Sequence, residues 1–293
     1  MGLFSVSQRC TPGWSFEEDV VYFSQAGIPG IGIWREKLLQ VGEEKAVELL
    51  ADSAVKPAYL DWTGAFTGTK GWSYRDGIEE AIRFIYLAGR MGAPLVIVHS
   101  GGRGRHTFNH SRRILREALK ELLPAAEGVG VWLGLEPVHP TDPEDLTFLE
   151  SMAEALDFVT GLGSPNLKLV YDLGHLGADE KALDSLTEWL PHLALIQLAD
   201  IAIADGRVVR VPLGQGSLPV AEIVRTLVRE GYRGWFDLEL WGPRFCDMQP
   251  FELLESAKNL FGNLLGPVDQ GDSAAPSDSP TPSAPSPAEN CVS

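Results

Sequence analysis

The stretch "LKLVYDLGHLG" (167–177) opens with an apolar run of the kind that forms a buried strand, and it stops at Asp172. His175 follows three residues later. A carboxylate at the end of a strand has two ordinary uses, as the N-cap of the next helix or as an ion-pair partner. A third use, as a ligand, depends on what the neighbouring strands carry at the same end.

Seven other runs share the character of this one: LFSVSQ (3–8), GIGIW (30–34), VKPAYLDW (55–62), PLVIVHS (94–100), VWLGLE (131–136), LALIQL (193–198) and GWFDLEL (234–240). Between them lie longer segments with apolar residues at three- and four-residue spacing, the mark of amphipathic helices. These are 16–27, 43–53, 74–92, 111–128, 146–163, 181–190, 220–232 and 251–265, several of them ending in Gly, a common helix stop. Strands alternating with helices imply a parallel sheet covered by helices. Eight such repeats within residues 1–265 predict a single-domain (β/α)8 TIM barrel. No GxGxxG follows the first strand, which weighs against a doubly wound dinucleotide-binding sheet.

The segment 266–293 differs from the rest. It is rich in Pro, Ser and Ala, lacks Lys and Arg, and has almost no large apolar residue. It cannot bury enough surface to offset its ordering entropy, so it reads as a disordered tail. Its acids are Asp269, Asp272, Asp278 and Glu289; without those four charges the formal net charge of −16 becomes −12. A surface this acidic argues against a nucleic-acid partner. No apolar stretch reaches the roughly 18 residues of a membrane span, and the N-terminus lacks a signal-peptide pattern. Three widely spaced cysteines, Cys10, Cys246 and Cys291, suit a reducing cytoplasm and offer no zinc spacing.

In a barrel of this kind the functional site lies at the C-terminal ends of the strands. The fifth strand ends in Glu136, the sixth in Asp172, the seventh holds Gln197 and the eighth ends in Glu239. Adjacent strands are about 4.8 Å apart, so four oxygen-bearing side chains converge at one mouth. Three carboxylates in a partly dry cavity repel one another, and a divalent cation removes that conflict. An all-oxygen set favours a hard ion such as Mg2+ or Mn2+. His99 ends the fourth strand, His139 follows the fifth, and Trp34 and Trp62 end the second and third; each is a candidate substrate contact, with core packing as the alternative. Arg103 and Arg105, in "GGRGRH", read either as anion binders at the mouth or as a solvated loop.

With these residues in view, the chain resembles the xylose-isomerase-like sugar phosphate isomerase/epimerase barrels. The likeness rests on "LGLEPVHP" (133–140), "YDLGH" (171–175), "IQLAD" (196–200), "LGQGSLP" (213–219) and "FDLELW" (236–241). Many relatives carry His where this chain has Gln197; Gln is similar to the hydroxypyruvate-isomerase-like branch. The resemblance implies that Glu136, Asp172, Gln197 and Glu239 bind Mn2+, Mg2+ or Co2+, that Glu136 and Glu239 act as base and acid, and that His175 contacts a substrate oxygen. It also implies aldose–ketose isomerisation or ketose epimerisation of a small sugar, phosphorylated or not, by removal of a proton next to a carbonyl. Two alternatives stay open: a keto-sugar or inosose dehydratase or lyase using the same centre, and a non-catalytic sugar-binding barrel. Some relatives place a substrate-binding Arg after the seventh strand, but the spacing of Arg207 and Arg210 matches poorly and neither is assigned. Many relatives are dimers or tetramers, so a homo-oligomer is compatible with the sequence, which carries no interface signal.

Overall fold

A computed structural model describes residues 3–69, 71–139, 146–177, 185–204, 207–241, 245 and 249–265. The residues read from sequence as a tail (266–293), and 178–184 at the start of the 181–190 helix, lie outside the described residues.

Eight parallel strands close into a barrel: β1 (Leu3–Ser7), β2 (Gly30–Ile33), β3 (Lys56–Gly64), β4 (Leu95–His99), β5 (Trp132–Leu135), β6 (Leu167–Asp172), β7 (Leu193–Leu198) and β10 (Trp235–Leu238). The order around the barrel is β1-β10-β7-β6-β5-β4-β3-β2. All eight strands coincide with the apolar runs of the sequence to within about two residues at either end. The expected helices form at Phe16–Ala26 (α1), Glu43–Ala51 (α3), Tyr74–Met91 (α4), Phe108–Val129 (α5), Met152–Leu162 (α6), Val220–Arg229 and Pro250–Leu265. Ser15 and Ser73 close capping boxes with Glu18 and Asp76 at the starts of α1 and α4. Among the described residues no helix is long and apolar enough to cross a membrane.

Three differences from the sequence reading have local causes. A helix at Arg35–Val41 (α2) precedes Gly42, whose φ of +84° breaks it from α3. Residues 146–151 are not helical, because Ser151 caps α6 at Met152 and Thr147 instead pairs with Gly101 beyond β4. A third is an antiparallel hairpin, β8 (Asp200–Ala204) with β9 (Arg207–Val211), standing between β7 and β10.

Strand alternation sorts side chains to two surfaces. Val96, Val98, Leu169, Tyr171, Ile196 and Leu198 face the helices and join the large outer core. Tyr59, Leu95, Ile97, Val170 and Leu195 form a separate cluster that fills the barrel interior. Gly134 faces the same interior, where a Cβ would stand 2.7 Å from Val170 and 2.9 Å from Leu95. The interior-facing parity runs upward through 97 to 99, 134 to 136, 170 to 172, 195 to 197 and 237 to 239. The polar residues at these strand ends therefore rise from the inner face toward the mouth.

One carboxyl group sits deeper. Asp237 is fully buried and accepts hydrogen bonds from Ser5 Oγ (2.6 Å) and Tyr59 OH (2.9 Å). Burial pushes its carboxyl up to about 8, against the pull of the Ser5 and Tyr59 hydroxyls. In the unfolded chain this group ionises near pH ~4. Its stabilising contribution is thus complete below that pH and is lost as pH rises through about 8. Asp237→Asn removes this slope. In chelator-treated protein, the fall in unfolding free energy between pH 5 and 7.5 should become shallower by up to ~1.4 kcal/mol per pH unit, read by urea denaturation. An unchanged slope would show Asp237 ionised in the fold.

Candidate active site

Four elements carry the strand-end oxygen donors at one end of the barrel. Glu136 follows β5, Asp172 ends β6, Gln197 lies in β7 and Glu239 follows β10; all four are buried. One ligand atom each from Glu136, Asp172 and His175 lies within 4.8 Å of the others. Gln197 donates its amide N–H to Glu239 Oε2, and Gln197 Oε1 is buried with no hydrogen-bond partner among the described residues. Gln197 therefore links the Glu239 side of the mouth to the Glu136–Asp172 side, because Asp172 and Gln197 are register partners on β6 and β7.

Each carboxylate has a distinct setting. His99 Nε2 lies 2.8 Å from Glu136 Oε2, and the His99 ring stacks on Trp62 at 5.8 Å. Asp172 accepts the Gly174 N–H (2.6 Å), receives both terminal nitrogens of Arg210 (3.1 and 2.5 Å), and lies 3.5 Å from His175 Nε2. A Cβ at Gly174 would stand 2.1 Å from the Arg210 guanidinium, so a side chain there would displace it from Asp172. On either side of Glu239 the backbone is clamped by Cys10, whose Sγ donates to Leu238 O and accepts from Leu240 N–H, both at 3.2 Å. Arg9 approaches Glu239 Oε1 at 4.0 Å and bonds Asp61 Oδ2 at 3.2 Å.

The electrostatics follow. Burial first, then the neighbouring Asp172 charge, push Glu136 and Glu239 well above the usual carboxylate range, with Arg9 and Arg210 opposing. Burial also works against Asp172, but Arg210 and His175 outweigh it and hold that carboxyl below its ordinary value. Two acids raised by burial and by the Asp172 charge, together with an amide oxygen buried and unpartnered among the described residues, are a donor set that fits a divalent cation.

Other sequence candidates fall less centrally. His99 and His175 touch the acids directly. Trp62 packs on His99 with Arg35 above it at 5.2 Å, and Trp34 caps α2 with its indole N–H buried and unpartnered among the described residues. His139 is exposed on the loop after Glu136, and Arg103 and Arg105 are exposed on the loop after β4. The side chain of Arg207 lies outside the described residues. Sequence reasoning missed Arg9, Asp61 and Trp241, and left Arg210 unassigned. The guanidiniums of Arg9 and Arg210 both lie against the Trp241 ring, at 5.5 and 5.0 Å. The Asp205-Gly206 pair between two short apolar-rich runs was a signal for the hairpin that delivers Arg210.

A closed parallel barrel with a cluster of buried oxygen donors at the C-terminal ends of its strands defines a TIM barrel with an acidic centre at its mouth. The chain belongs to the xylose isomerase-like TIM barrel family, whose model matches residues 22–261. It is 28% identical over 134 residues to the L-ribulose-5-phosphate 3-epimerase UlaE of Escherichia coli; that match covers 45% of this chain and 44% of the epimerase. Among solved structures it is similar to the protein SMc04130 of Sinorhizobium meliloti (TM-score 0.80, 22% identity, covering 90% of this chain and 98% of that one). It is also similar to the IOLI protein with a binding zinc atom (TM-score 0.77, 19% identity, 90% and 98%).

Proposed function

We propose that this chain is a divalent-metal-dependent isomerase or epimerase of a small keto-sugar, working by removal of a proton from the carbon next to a carbonyl. The observation that carries this reading is the gathering of ligand atoms from Glu136, Asp172 and His175 within 4.8 Å of one another at the strand ends, with Gln197 bonded to Glu239 beside them and Gln197 Oε1 buried and unpartnered among the described residues. Glu136, Asp172, Gln197 and Glu239 would hold the ion, and His175, within reach of Asp172, would meet either the ion or a substrate oxygen. The epimerase name of the UlaE relative and the zinc in the IOLI structure support the same chemistry and a divalent ion without fixing which one.

The carbon acid in such a substrate is weak, and the electron pair left behind spreads onto the carbonyl oxygen. A dication in this position supplies the positive charge that stabilises those oxygens. The residues of the chain do the rest. Glu136 takes the proton from one face of the carbon, with His99 fixing its carboxylate through the 2.8 Å contact. Glu239, held across the mouth by Gln197 and by the Cys10 clamp on its backbone, returns a proton from the opposite face. Return to the same carbon from the opposite face gives epimerisation; return to the neighbouring carbon, the former carbonyl carbon, with a proton passing from the adjacent hydroxyl oxygen to the former carbonyl oxygen, gives isomerisation. The aromatic rings of Trp34 and Trp62 offer apolar surface to a sugar face.

The test is deuterium wash-in. Metal-loaded protein is incubated in D2O with a panel of ketoses, and incorporation next to the carbonyl is followed by NMR. The reading expects exchange with at least one ketose and loss of exchange on chelation. Bound metal with no exchange across the panel would contradict it.

A further inference from the structure

We infer, resting on the function proposed above, that Arg35 is a positioning residue: it fixes the end of β3 against His99, and through His99 it aims the Glu136 carboxylate. Arg35 opens α2, directly after β2 and Trp34. Its guanidinium lies against three rings, Phe84 at 4.7 Å, Trp62 at 5.2 Å and Trp72 at 5.5 Å. It pairs with Glu80 of α4, and the two side chains are each 12% exposed, so the pair is mostly shielded from water. The same guanidinium donates to the Trp62 carbonyl at 3.4 Å, and Glu80 also accepts the Thr63 hydroxyl. One ion pair thus grips two successive residues of β3, one by its backbone and ring, the other by its side chain. A guanidinium suits this place, because its flat face stacks on rings while its edge stays bonded; an ammonium has no flat face to stack.

The end of β3 in turn grips His99. The Trp62 ring stacks on the imidazole at 5.8 Å and 27°. Gly64 and His99 are register partners, and a Cβ on Gly64 would stand 1.9 Å from His99 O. Ala65 N–H donates to that same oxygen at 3.0 Å. Ala65 makes this bond at φ +59°, and it is the one non-glycine residue with positive φ among the described residues. A left-handed alanine is strained, and such strain persists where the surroundings over-determine it. His99 is therefore held by ring and by backbone from one strand end, and its Nε2 meets Glu136 Oε2 at 2.8 Å. A general base works only at a set distance from the proton it removes, and a misplacement of about 1 Å costs on the order of 10²-fold. Arg35 touches neither His99 nor Glu136 in this chain of contacts, yet it anchors the wall on which both depend.

The experiment uses the full chain with Arg35→Lys, Trp62→Leu and the two together, folding being checked by circular dichroism. Deuterium wash-in on metal-loaded protein gives kcat and KM for a ketose that the parent exchanges. Histidine NMR on chelator-treated protein gives the His99 ring signals, assigned by their loss in His99→Gln. Arg35→Lys keeps the charge opposite Glu80 and loses the stack. The expected result is a kcat lower by about 10- to 100-fold with KM changed by less than about threefold. The His99 ring signals should move, while those of His192, before β7 at the other end of the barrel, stay in place. Adding Arg35→Lys to Trp62→Leu should lower kcat no further, because the route is already cut. Glu80→Gln keeps shape and removes the partner charge; it should move the same His99 signals and lower kcat, and it carries the test should Arg35→Lys unfold. A raised KM at unchanged kcat, unmoved His99 signals, or additive losses in the double variant would each overturn the inference and leave the proposed function standing. A metal-loaded parent that exchanges no ketose would overturn the proposed function, and this inference with it.

Discussion

Glu136→Gln should slow deuterium wash-in into the epimer whose proton faces Glu136 by about 10²- to 10⁴-fold, the range a positioned general base contributes. The substitution keeps size and shape, and the amide can still meet His99 Nε2, so the barrel should stay folded. Removing a buried carboxyl that is crowded by Asp172 also relieves repulsion. The measurement is made at saturating metal with the bound ion counted, which separates a lost base from a lost ligand. Glu239→Gln adds a second discrimination. If the two glutamates serve opposite faces of the carbon, each single variant retains exchange with one of two epimeric ketoses and loses it with the other, and neither interconverts the pair. Both variants turning over like the parent would remove the acid–base assignment.

The largest effect on stability is expected away from the reacting groups. Lys37, buried at 2% exposure, donates to Asp19 Oδ2 at 2.5 Å and to Thr11 O at 2.7 Å. Asp19 is closed in further by Thr11 Oγ1 (2.6 Å) and Gln8 Nε2 (2.9 Å), and Gln8 Oε1 accepts the backbone N–H of Trp34. One network thus ties the segments leaving β1 and β2 to α1. Burial pushes the Asp19 carboxyl up to about 6 despite the Lys37 charge, and it lowers Lys37 in turn. Such a pair adds little over an apolar replacement of both members, yet removing one member strands the other. Lys37→Met should therefore cost about 3–5 kcal/mol by urea denaturation, and Lys37→Met with Asp19→Asn should recover part of it. A single-variant loss under about 1 kcal/mol would show that Asp19 reaches water in the fold.

The barrel was legible because parallel strands covered on both faces read as short, nearly continuous apolar runs, and β4, β6 and β7 are of that kind. The acidic centre was legible for a related reason: Glu136, Asp172 and Glu239 each interrupt or end such a run where a core residue would otherwise stand. What stayed hidden depends on tertiary distance. Arg9 meets Asp61 and Arg210 meets Asp172 across separations of 52 and 38 residues, and nothing local marks either arginine as different from a solvated one. The hairpin β8–β9 carried its signal in Asp205-Gly206 but is too short to compete with the barrel rhythm around it. Trp241 could be named as an aromatic after Glu239, while its place against two guanidiniums comes only from the fold.

A titration with Mn2+, followed by electron paramagnetic resonance on chelator-treated protein, addresses the ion at the mouth most directly. The account predicts one tightly bound Mn2+ per chain, with affinity at least about tenfold weaker in Asp172→Asn and in Gln197→Leu. Folding of both variants is checked by circular dichroism. Absence of a stoichiometric ion, or binding that ignores both substitutions, would contradict it.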